Sequence, residues 1–233
     1  MNDNEVSDQF LHLPLYGYSE ADYLAGVTRG TARRWLAGYE YKKSGSKRVR
    51  RPPVTPESGR EEGGVSFIDL VEVVAIGGLK SFGYTLGQIR TIVINTQDIL
   101  NVQRPLTTEI FKLDGHDAFV QAGGKLVNVL HSKGQRAWDE VLWPFLETLD
   151  YSEHHRLARR WWPLGRHKLV VIDPEYAFGL PVIADSGIRT EIIFERWNVG
   201  ESTQEIAEDF NISPSQIDEA LRFEVDRAMK RAA

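Results

Sequence analysis

The sequence contains no cysteine among its 233 residues. This absence excludes disulfide frameworks, thiolate metal sites and cysteine nucleophiles, and it fits a reducing compartment. No uninterrupted apolar run approaches the roughly 18 residues of a membrane span. The first ten residues are polar and acidic, which argues against a secretory signal. We therefore expect a cytoplasmic protein with no membrane partner.

Features of catalytic and cofactor sites are also scarce. The sequence has no phosphate-binding loop, nucleophile elbow or convincing carboxylate pair. His154 and His155 are adjacent, so their side chains point apart on a helix or a strand, and with His167 they favour exposed polar residues over a metal site. Asp114 and Asp117 suit a turn. We expect neither an enzyme nor a bound cofactor or metal.

What is present is an ordinary globular composition with an uneven charge distribution. The chain is 42% hydrophobic and 26% charged, and its length predicts one or two domains. Residues 29–60 carry ten Lys and Arg against two acidic residues, a net +8, which leaves −13 for the rest of a chain whose total is −5. A basic block of this kind usually faces a polyanion, although a solvated basic loop without a partner is the alternative.

A helix-turn-helix pattern leads into the basic block. Ser19–Asp22 predicts a helix start and Gly26-Val27 a turn, and Thr28 is the expected cap of a second helix that reaches about Ala37. The apolar residues of this second helix repeat at helical spacing and should be buried: Ala32, Trp35 and Leu36.

The exposed face of the second helix carries donors that suit the major groove of DNA. After it, the basic stretch Lys47–Arg51 alternates as a hairpin would, and Pro52-Pro53 should end it. Such a basic wing can contact the flanking phosphates. The candidate DNA-binding residues are Arg29, Thr31, Arg33, Arg34, Lys47, Arg48, Arg50 and Arg51.

Periodicity predicts the elements that follow. A helical stripe begins at Phe67, and Thr85–Gln88 is the capping box of a further helix with Ile89, Ile92 and Val93 inside. After about Gln97 the period changes towards strands. The predicted strands are Thr107–Lys112, Phe119–Gln121, Leu126–Leu130 and Lys168–Ile172, and the predicted helix Ala137–Leu149 should be kinked or split at Pro144.

The C-terminal segment predicts a second helix-turn-helix, which is acidic. A strand at Val182-Ile183 and a helix at Thr190–Trp197 precede a capping box at Ser202–Glu205 and a helix start at Ser213-Pro214. Between residues 200 and 223 six acidic residues face only Arg222. Phosphates repel such a surface, so we expect a protein-binding or dimerising module, with a plain packing hairpin as the alternative.

These elements predict an α+β fold in three segments. They are an N-terminal winged helix-turn-helix (18–94), a β-containing middle segment (95–172) and a small helix-turn-helix-like domain (173–233). A homodimer is expected because an operator with two-fold symmetry is bound by a protein with two-fold symmetry. Five aromatic residues in and near the middle segment suit a packed core or, alternatively, a ligand pocket: Trp138, Trp143, Phe145, Trp161 and Trp162.

The N-terminal segment resembles the winged-helix domain of the MerR regulator family. The matching motifs are Tyr18-Ser19-Glu20, Gly26-Val27-Thr28, Thr31–Trp35, Phe67–Leu70 and Phe82–Arg90. The resemblance implies a winged helix that binds DNA as a dimer, with Arg33 and Arg34 on the groove side. The chain departs from the family in its long, proline-rich wing and in lacking the long dimerising helix expected afterwards.

The C-terminal segment resembles a small domain of unknown function found in bacterial antitoxins, often encoded beside PIN-domain ribonuclease toxins. The motifs are Gly179–Ile183, Gly187–Arg189, Gly200–Ser202, Glu205–Ala207 and Ser213–Ile217. The whole chain therefore resembles a VapB-type antitoxin. That resemblance implies binding to operator DNA, repression of its own operon and neutralisation of a VapC-type PIN-domain toxin.

Two further expectations depend on this resemblance. Cationic residues that can pair with an acidic toxin site are Arg159, Arg160, Arg227, Lys230 and Arg231, with solvated surface as the default. The alternative function is a free-standing MerR-like transcriptional regulator that responds to a small ligand held by the aromatic residues.

Overall fold

The structure, a computed structural model, describes residues 9–42, 48–55, 63–112, 115–116, 119, 130–153, 155–165 and 169–232. A helical turn at residues 9–12 comes first. The N-terminal elements are then the helices α1 (Tyr18–Ala25) and α2 (Thr31–Ala37), the strands β1 (Tyr39–Lys42) and β2 (Arg48–Arg51), and the helices α3 (Phe67–Ser81) and α4 (Leu86–Leu100).

Helices α1 and α2 form the expected helix-turn-helix, with shifted starts. The N-cap of α1 is Gly17 rather than Ser19, and Gly26, with φ of 64°, ends the helix in the left-handed conformation that glycine adopts without strain. Helix α2 starts at Thr31, later than expected, so Arg29 lies in the turn.

Local capping explains the start of α3 and α4. The predicted box at Thr85 and Gln88 is confirmed, since the Thr85 hydroxyl accepts the Gln88 N–H and the Gln88 side chain accepts the Thr85 N–H. Ser66 and Asp69 form an equivalent box at the start of α3, which the sequence prediction missed. The predicted apolar faces of both helices lie in the core.

The middle segment corrects the strand predictions. Residues 105–107 form a 3₁₀ turn and residues 109–112 are helical, so Thr107–Lys112 is not a strand. Phe119 is helical, Leu130 begins a helix, and residues 120–129 lie outside the described part. Short period-two alternation was therefore a misleading signal, because these apolar residues pack as helical turns around one aromatic core.

The helix around Pro144 changes its winding, as the proline predicts. Helix α5 (Leu130–Ala137) passes into a π-helical stretch at Trp138–Leu142 and then into α6 (Trp143–Leu146). In a π-helix the backbone hydrogen bonds join residues five apart instead of four. This change of pattern accommodates Pro144, which has no N–H to donate. The chain leaves the helix before Leu149, which belongs to a strand.

Short strands and three helices complete the chain. The strands pair antiparallel as β3 (Leu149–Tyr151) with β4 (Ala158–Trp161), and β5 (Val170–Val171) with β6 (Val182–Ile183). The helices are α7 (Thr190–Asn198), α8 (Thr203–Phe210) and α9 (Pro214–Ala232). The predicted strand Val182-Ile183, the capping box of Ser202 with Glu205 and the start at Pro214 are confirmed.

One hydrophobic core joins the two ends of the chain. Helix α9 packs against α1, and the Tyr23 hydroxyl of α1 donates to the Glu224 carboxylate of α9. Glu224 also accepts from Thr190 at the start of α7. The buried Tyr16 hydroxyl donates to the Gly179 carbonyl at 2.8 Å. The C-terminal helices therefore brace the first helix of the N-terminal motif.

A buried ion triad fixes α3 to the chain that follows α4. Arg104 Nη2 lies 2.5 Å from Asp69 Oδ1 and 2.5 Å from Glu72 Oε2, and Thr55 donates to the same Glu72 oxygen. Burial alone would lower the pKa of Arg104, but Glu72 and Asp69 raise it above its ordinary value. Each charge here depends on the others, because an unpaired buried charge is costly.

The fold class predicted from the sequence, α+β with a helix-turn-helix domain at the N-terminus, is confirmed. Among the described residues, no helix combines the length and the apolar character needed to cross a bilayer.

Candidate nucleic-acid interface

The position of α2 depends on a buried carboxylate in α1. Asp22 accepts the N–H groups of Gly30 at 2.6 Å and Ala32 at 2.7 Å, and so caps the start of α2 from the preceding helix. A carboxylate is favoured at a helix N-terminus by both hydrogen bonding and the helix dipole. From the sequence, Asp22 was interpreted only as part of the start of α1. Its role at the start of α2 was missed because the contact joins residues on the two sides of the turn.

Helix α2 separates its apolar and cationic residues as predicted. Ala32, Trp35 and Leu36 are buried in the core, whereas Arg33 and Arg34 are exposed. Arg29 is exposed in the turn before the helix. Within the described part of the chain neither Arg29 nor Arg33 has a carboxylate partner, so both guanidinium groups are available to an external anion.

Thr31 does not share this exposed face, which corrects its selection as a DNA-contacting residue. It is only 4% exposed, and its hydroxyl lies 3.0 Å from that of Thr28. Arg34 folds back along the helix, donating from Nε to the Gly30 carbonyl at 3.1 Å and from Nη2 to the Thr31 hydroxyl at 3.2 Å. Thr31 thus positions Arg34 and does not itself reach solvent.

The predicted basic hairpin is present directly after α2. Tyr39 pairs with Arg51 and Lys42 with Arg48, and β2 ends where Pro52 begins. Arg48, Arg50 and Arg51 are exposed, whereas Lys47 lies outside the described residues. Arg51 lies over the Tyr41 ring at 5.8 Å and donates to its hydroxyl at 3.4 Å, so the wing presents partly ordered cations.

The base of the wing is attached to both neighbouring helices. Arg90 of α4 donates to the carbonyls of Pro53 at 2.7 Å and Pro52 at 2.6 Å. The Val54 N–H donates to the Trp35 carbonyl of α2 at 2.7 Å. Gly38 permits the close approach of the strands, because a Cβ there would lie 2.4 Å from the Arg51 carbonyl oxygen.

A cationic cleft of about 310 Å³ opens where α2, the wing and the start of α4 meet. Four basic side chains line it, and in the described structure no acidic residue does: Arg34, Arg51, Lys80 and Arg90. Burial, and then the charge of Arg51, lower the pKa of Arg90. Like charges held together without an acid suit a phosphate group. Lys80 and Arg90 were not among the predicted DNA-binding residues, because only the folded chain brings them close to the wing.

The other candidate site residues from the sequence fall mostly outside the described part of the chain. His154, His167, Asp114 and Asp117 lie outside the described residues. Within the described residues no group of His, Asp and Glu is arranged to hold a metal.

The aromatic residues divide between the core and two separate cavities. Trp138 packs against Phe111, with ring centroids 5.1 Å apart. Phe145 and Trp161 line one cavity, and Trp162 lines another. Trp143 is partly exposed. In the described structure the five aromatic residues are therefore spread over the core, two cavities and the surface.

Most of the cations proposed for an acidic toxin site are already engaged. Arg160 pairs with Asp173 at 2.7 Å and Lys230 with Asp226 at 2.8 Å. Arg227 is buried, so it cannot reach into another protein. Arg159 is partly exposed, and the Arg231 side chain lies outside the described structure.

The acidic helix-turn-helix of α8 and α9 is partly neutralised from α7. Arg196 pairs with Glu201 and with Asp209, the latter at 2.6 Å. Arg222 pairs with Glu219 at 3.1 Å. Sequence counting found only Arg222 in this role because Arg196 lies before the motif. Acidic residues still dominate the exposed face.

Two family matches coincide with these two motifs. Residues 14–93 match the family described as "Putative DNA-binding HTH domain". Residues 170–223 match the family described as "Protein of unknown function (DUF433)". The first match contains α1, α2, the wing and the cationic cleft, and the second contains the acidic motif.

Relatives from Mycobacterium tuberculosis match almost the whole chain. A protein named "Putative antitoxin VapB45" is 24% identical over 94% of this chain and 97% of its own length. "Uncharacterized protein Rv2308" is 23% identical over 90% of this chain and 89% of its own length. The crystal structure of Rv2018 has a TM-score of 0.65 at 21% identity, covering 90% of this chain and 98% of that one, and so shares the fold. The two ends of the chain are thus similar to a helix-turn-helix family and to DUF433, and the resemblance to a VapB-type antitoxin expected from its sequence is confirmed along nearly its full length.

Proposed function

We propose that this chain is a DNA-binding antitoxin that represses its own operon and neutralises a PIN-domain ribonuclease toxin by direct contact. The observation that carries the DNA-binding part is the cationic cleft where α2, the wing and the start of α4 meet, which no acidic residue lines in the described structure. It lies within the segment that matches a DNA-binding family.

In this proposal α2 reads the major groove. Arg29 and Arg33 address base edges and nearby phosphates, and Arg34, held by Thr31, faces the cleft. The wing residues Arg48, Arg50 and Arg51, together with Lys47, contact the flanking backbone. A homodimer would place two copies of α2 about one DNA turn apart, as a palindromic operator requires.

The proposed toxin-binding region is the C-terminal domain. Its acidic helices disfavour nucleic acid, and it exposes apolar side chains at the end of α7, where Trp197 is 42% and Val199 79% exposed. Aromatic residues on an exposed surface are typical anchors of protein interfaces. The relative named as an antitoxin supports the same assignment.

DNA binding is tested by fluorescence anisotropy on the upstream region of the gene. Arg33→Ala should relax sequence preference and cost about 1–3 kcal/mol on the best site, whereas Arg50→Ala should weaken binding to all sequences by a similar factor. Glu208→Ala on the acidic motif is the control. Parent-like binding by both arginine variants would exclude the proposed interface.

Toxin binding is tested with the product of the adjacent reading frame. If that product is a PIN-domain nuclease, the two proteins should co-purify, and the mixture should lose ribonuclease activity. The change Trp197→Ser should weaken the complex without altering DNA affinity. A neighbouring nuclease that stays fully active in the presence of the folded chain would contradict this part of the proposal.

A further inference from the structure

A cavity of about 450 Å³ lies between the helix-turn-helix and the C-terminal helix. The α1–α2 turn, helix α3, helix α6 and helix α9 all contribute to its wall. Pockets of this size commonly hold small molecules. The cavity is distinct from the cationic cleft and is lined by different residues.

A buried arginine forms part of this wall. Arg227 of α9 is 6% exposed, and its guanidinium carbon lies 5.7 Å from the centre of the Trp161 ring and 5.1 Å from that of Phe223. Its Nε has no hydrogen-bond partner among the residues that the structure describes. Its nearest carboxylate, at 3.4 Å, is Asp226, which Lys230 also engages at 2.8 Å.

This arginine is poorly compensated for its depth. Burial lowers the pKa of Arg227, with Asp226 opposing the shift, and arginine nevertheless keeps its charge in proteins. A buried cation normally requires a carboxylate at close range. The contrast within the same protein is Arg104, which two carboxylates hold at 2.5 Å.

The turn before α2 packs closely against the cation. Gly26, in the left-handed turn, admits the guanidinium, because a Cβ there would lie 2.9 Å from Arg227 Nη1. Asp226 also lines the cavity beside this contact. Phe145, Pro144 and Trp161 supply an apolar surface along the cavity. Lys230 adds a second cation where α9 reaches solvent.

We infer that this cavity binds a small organic anion, a carboxylate carried on a flat aromatic or apolar body. The carboxylate would pair with Arg227 and Lys230, and the body would pack against Phe145 and Trp161. A carboxylate fits because guanidinium groups bind it with charge-assisted hydrogen bonds, whereas an uncharged ligand would add no counter-charge to Arg227. The site is independent of the proposed DNA and toxin contacts.

The test is isothermal titration calorimetry of the full chain with 2-naphthoate and with the uncharged 2-naphthamide. The carboxylate should bind saturably at one site per chain, about tenfold or more tighter than the amide. Arg227→Gln should weaken 2-naphthoate by about tenfold or more. The matched control is Arg222→Gln, an exposed arginine on the same helix, which should bind like the parent.

Two exposed positions keep the test decisive if Arg227→Gln proves unfolded by circular dichroism. Lys230→Gln should weaken 2-naphthoate several-fold, and Ser81→Phe, at the cavity edge, should obstruct binding. The inference is overturned if the folded parent shows no saturable binding at millimolar 2-naphthoate. Equal affinity for the amide, or parent-like binding by the folded Arg227, Lys230 and Ser81 variants, would overturn it as well.

Discussion

The two helix-turn-helix motifs of this chain share a backbone plan and differ in surface charge. Both join short helices through a left-handed residue, Gly26 in one and Asn211 in the other. The exposed face of α2 carries arginines that have no carboxylate partner among the described residues, whereas α8 and α9 carry acidic residues that Arg196 and Arg222 partly neutralise. The backbone motif alone therefore does not distinguish the two surfaces, and the charge of the exposed face does.

The motifs also differ in what holds them. The basic motif depends on long-range buried contacts, those of Asp22 with the start of α2 and the triad of Arg104 with α3. In the acidic motif, the start of α8 depends on the exposed local capping box of Ser202, whereas α9 is held by the contacts of Glu224 with Tyr23 and Thr190. The two second helices therefore differ in their caps: α2 is capped by a buried carboxylate of α1, and α8 by its own N-cap residue.

The largest expected effect is on the triad beneath the basic motif. Arg104→Met should lower the free energy of unfolding by about 3–5 kcal/mol, because it removes one charged partner of a buried ion triad. Urea unfolding measures this directly. Arg136→Met is the control, since it removes an exposed arginine that pairs with Glu140 and should leave stability nearly unchanged. Equal losses in the two variants would show that the triad is not a structural support.

A smaller effect compares the two kinds of cap. Asp22→Ala should cost about 2–3 kcal/mol, since two backbone N–H groups lose a charged acceptor in a buried site. Ser202→Ala, at an exposed cap, should cost about 0.5–1 kcal/mol. Thermal unfolding ranks the two variants. A larger loss for Ser202→Ala would reverse the comparison of buried and local support.

The smallest effect concerns pH and Glu20 of α1. Burial, followed by the nearby Glu191, raises the pKa of Glu20, although the Gly17 N–H and Arg189 lower it. A raised pKa means that ionisation of Glu20 destabilises the folded state. The stability that the protonated side chain contributes below about pH 4 is therefore lost as the pH rises through the pKa of the folded state.

Glu20→Gln should therefore be more stable than the parent at pH 7 by about 0.5 kcal/mol or less, with a smaller gain at pH 4. Urea midpoints at the two pH values measure the difference. Glu208→Gln controls for the loss of one negative charge on the acidic motif. If the gain in stability of Glu20→Gln were larger at pH 4 than at pH 7, the pKa of Glu20 could not be raised by folding.

Local signals in the sequence predicted well where a few neighbouring residues decide the structure. The capping boxes of Thr85 and Ser202 and the buried face of α2 are such cases, since each depends on contacts within one or two turns. The same logic applied to Ser66 and Asp69 would have supplied the capping box of the helix predicted from Phe67.

Contacts between distant residues could not be predicted in this way. Asp22 acts across a turn, Arg104 joins residues more than thirty positions away, and Arg90 reaches the wing from α4. The short alternation at Thr107–Lys112 predicted a strand, yet tertiary packing favours a helical turn there. From the sequence, Arg227 was expected on the surface. It is buried because α9 packs close to Trp161.

We propose that the cationic surface of the N-terminal motif binds DNA phosphates and that the acidic motif does not. The most direct measurement is the salt dependence of binding to a duplex by the parent, Lys80→Gln in the cleft and Arg222→Gln on the acidic motif. The slope of log K against log salt should become shallower by about one for Lys80→Gln and stay unchanged for Arg222→Gln. Identical slopes for all three proteins, or no binding by the parent even at low salt, would contradict the account.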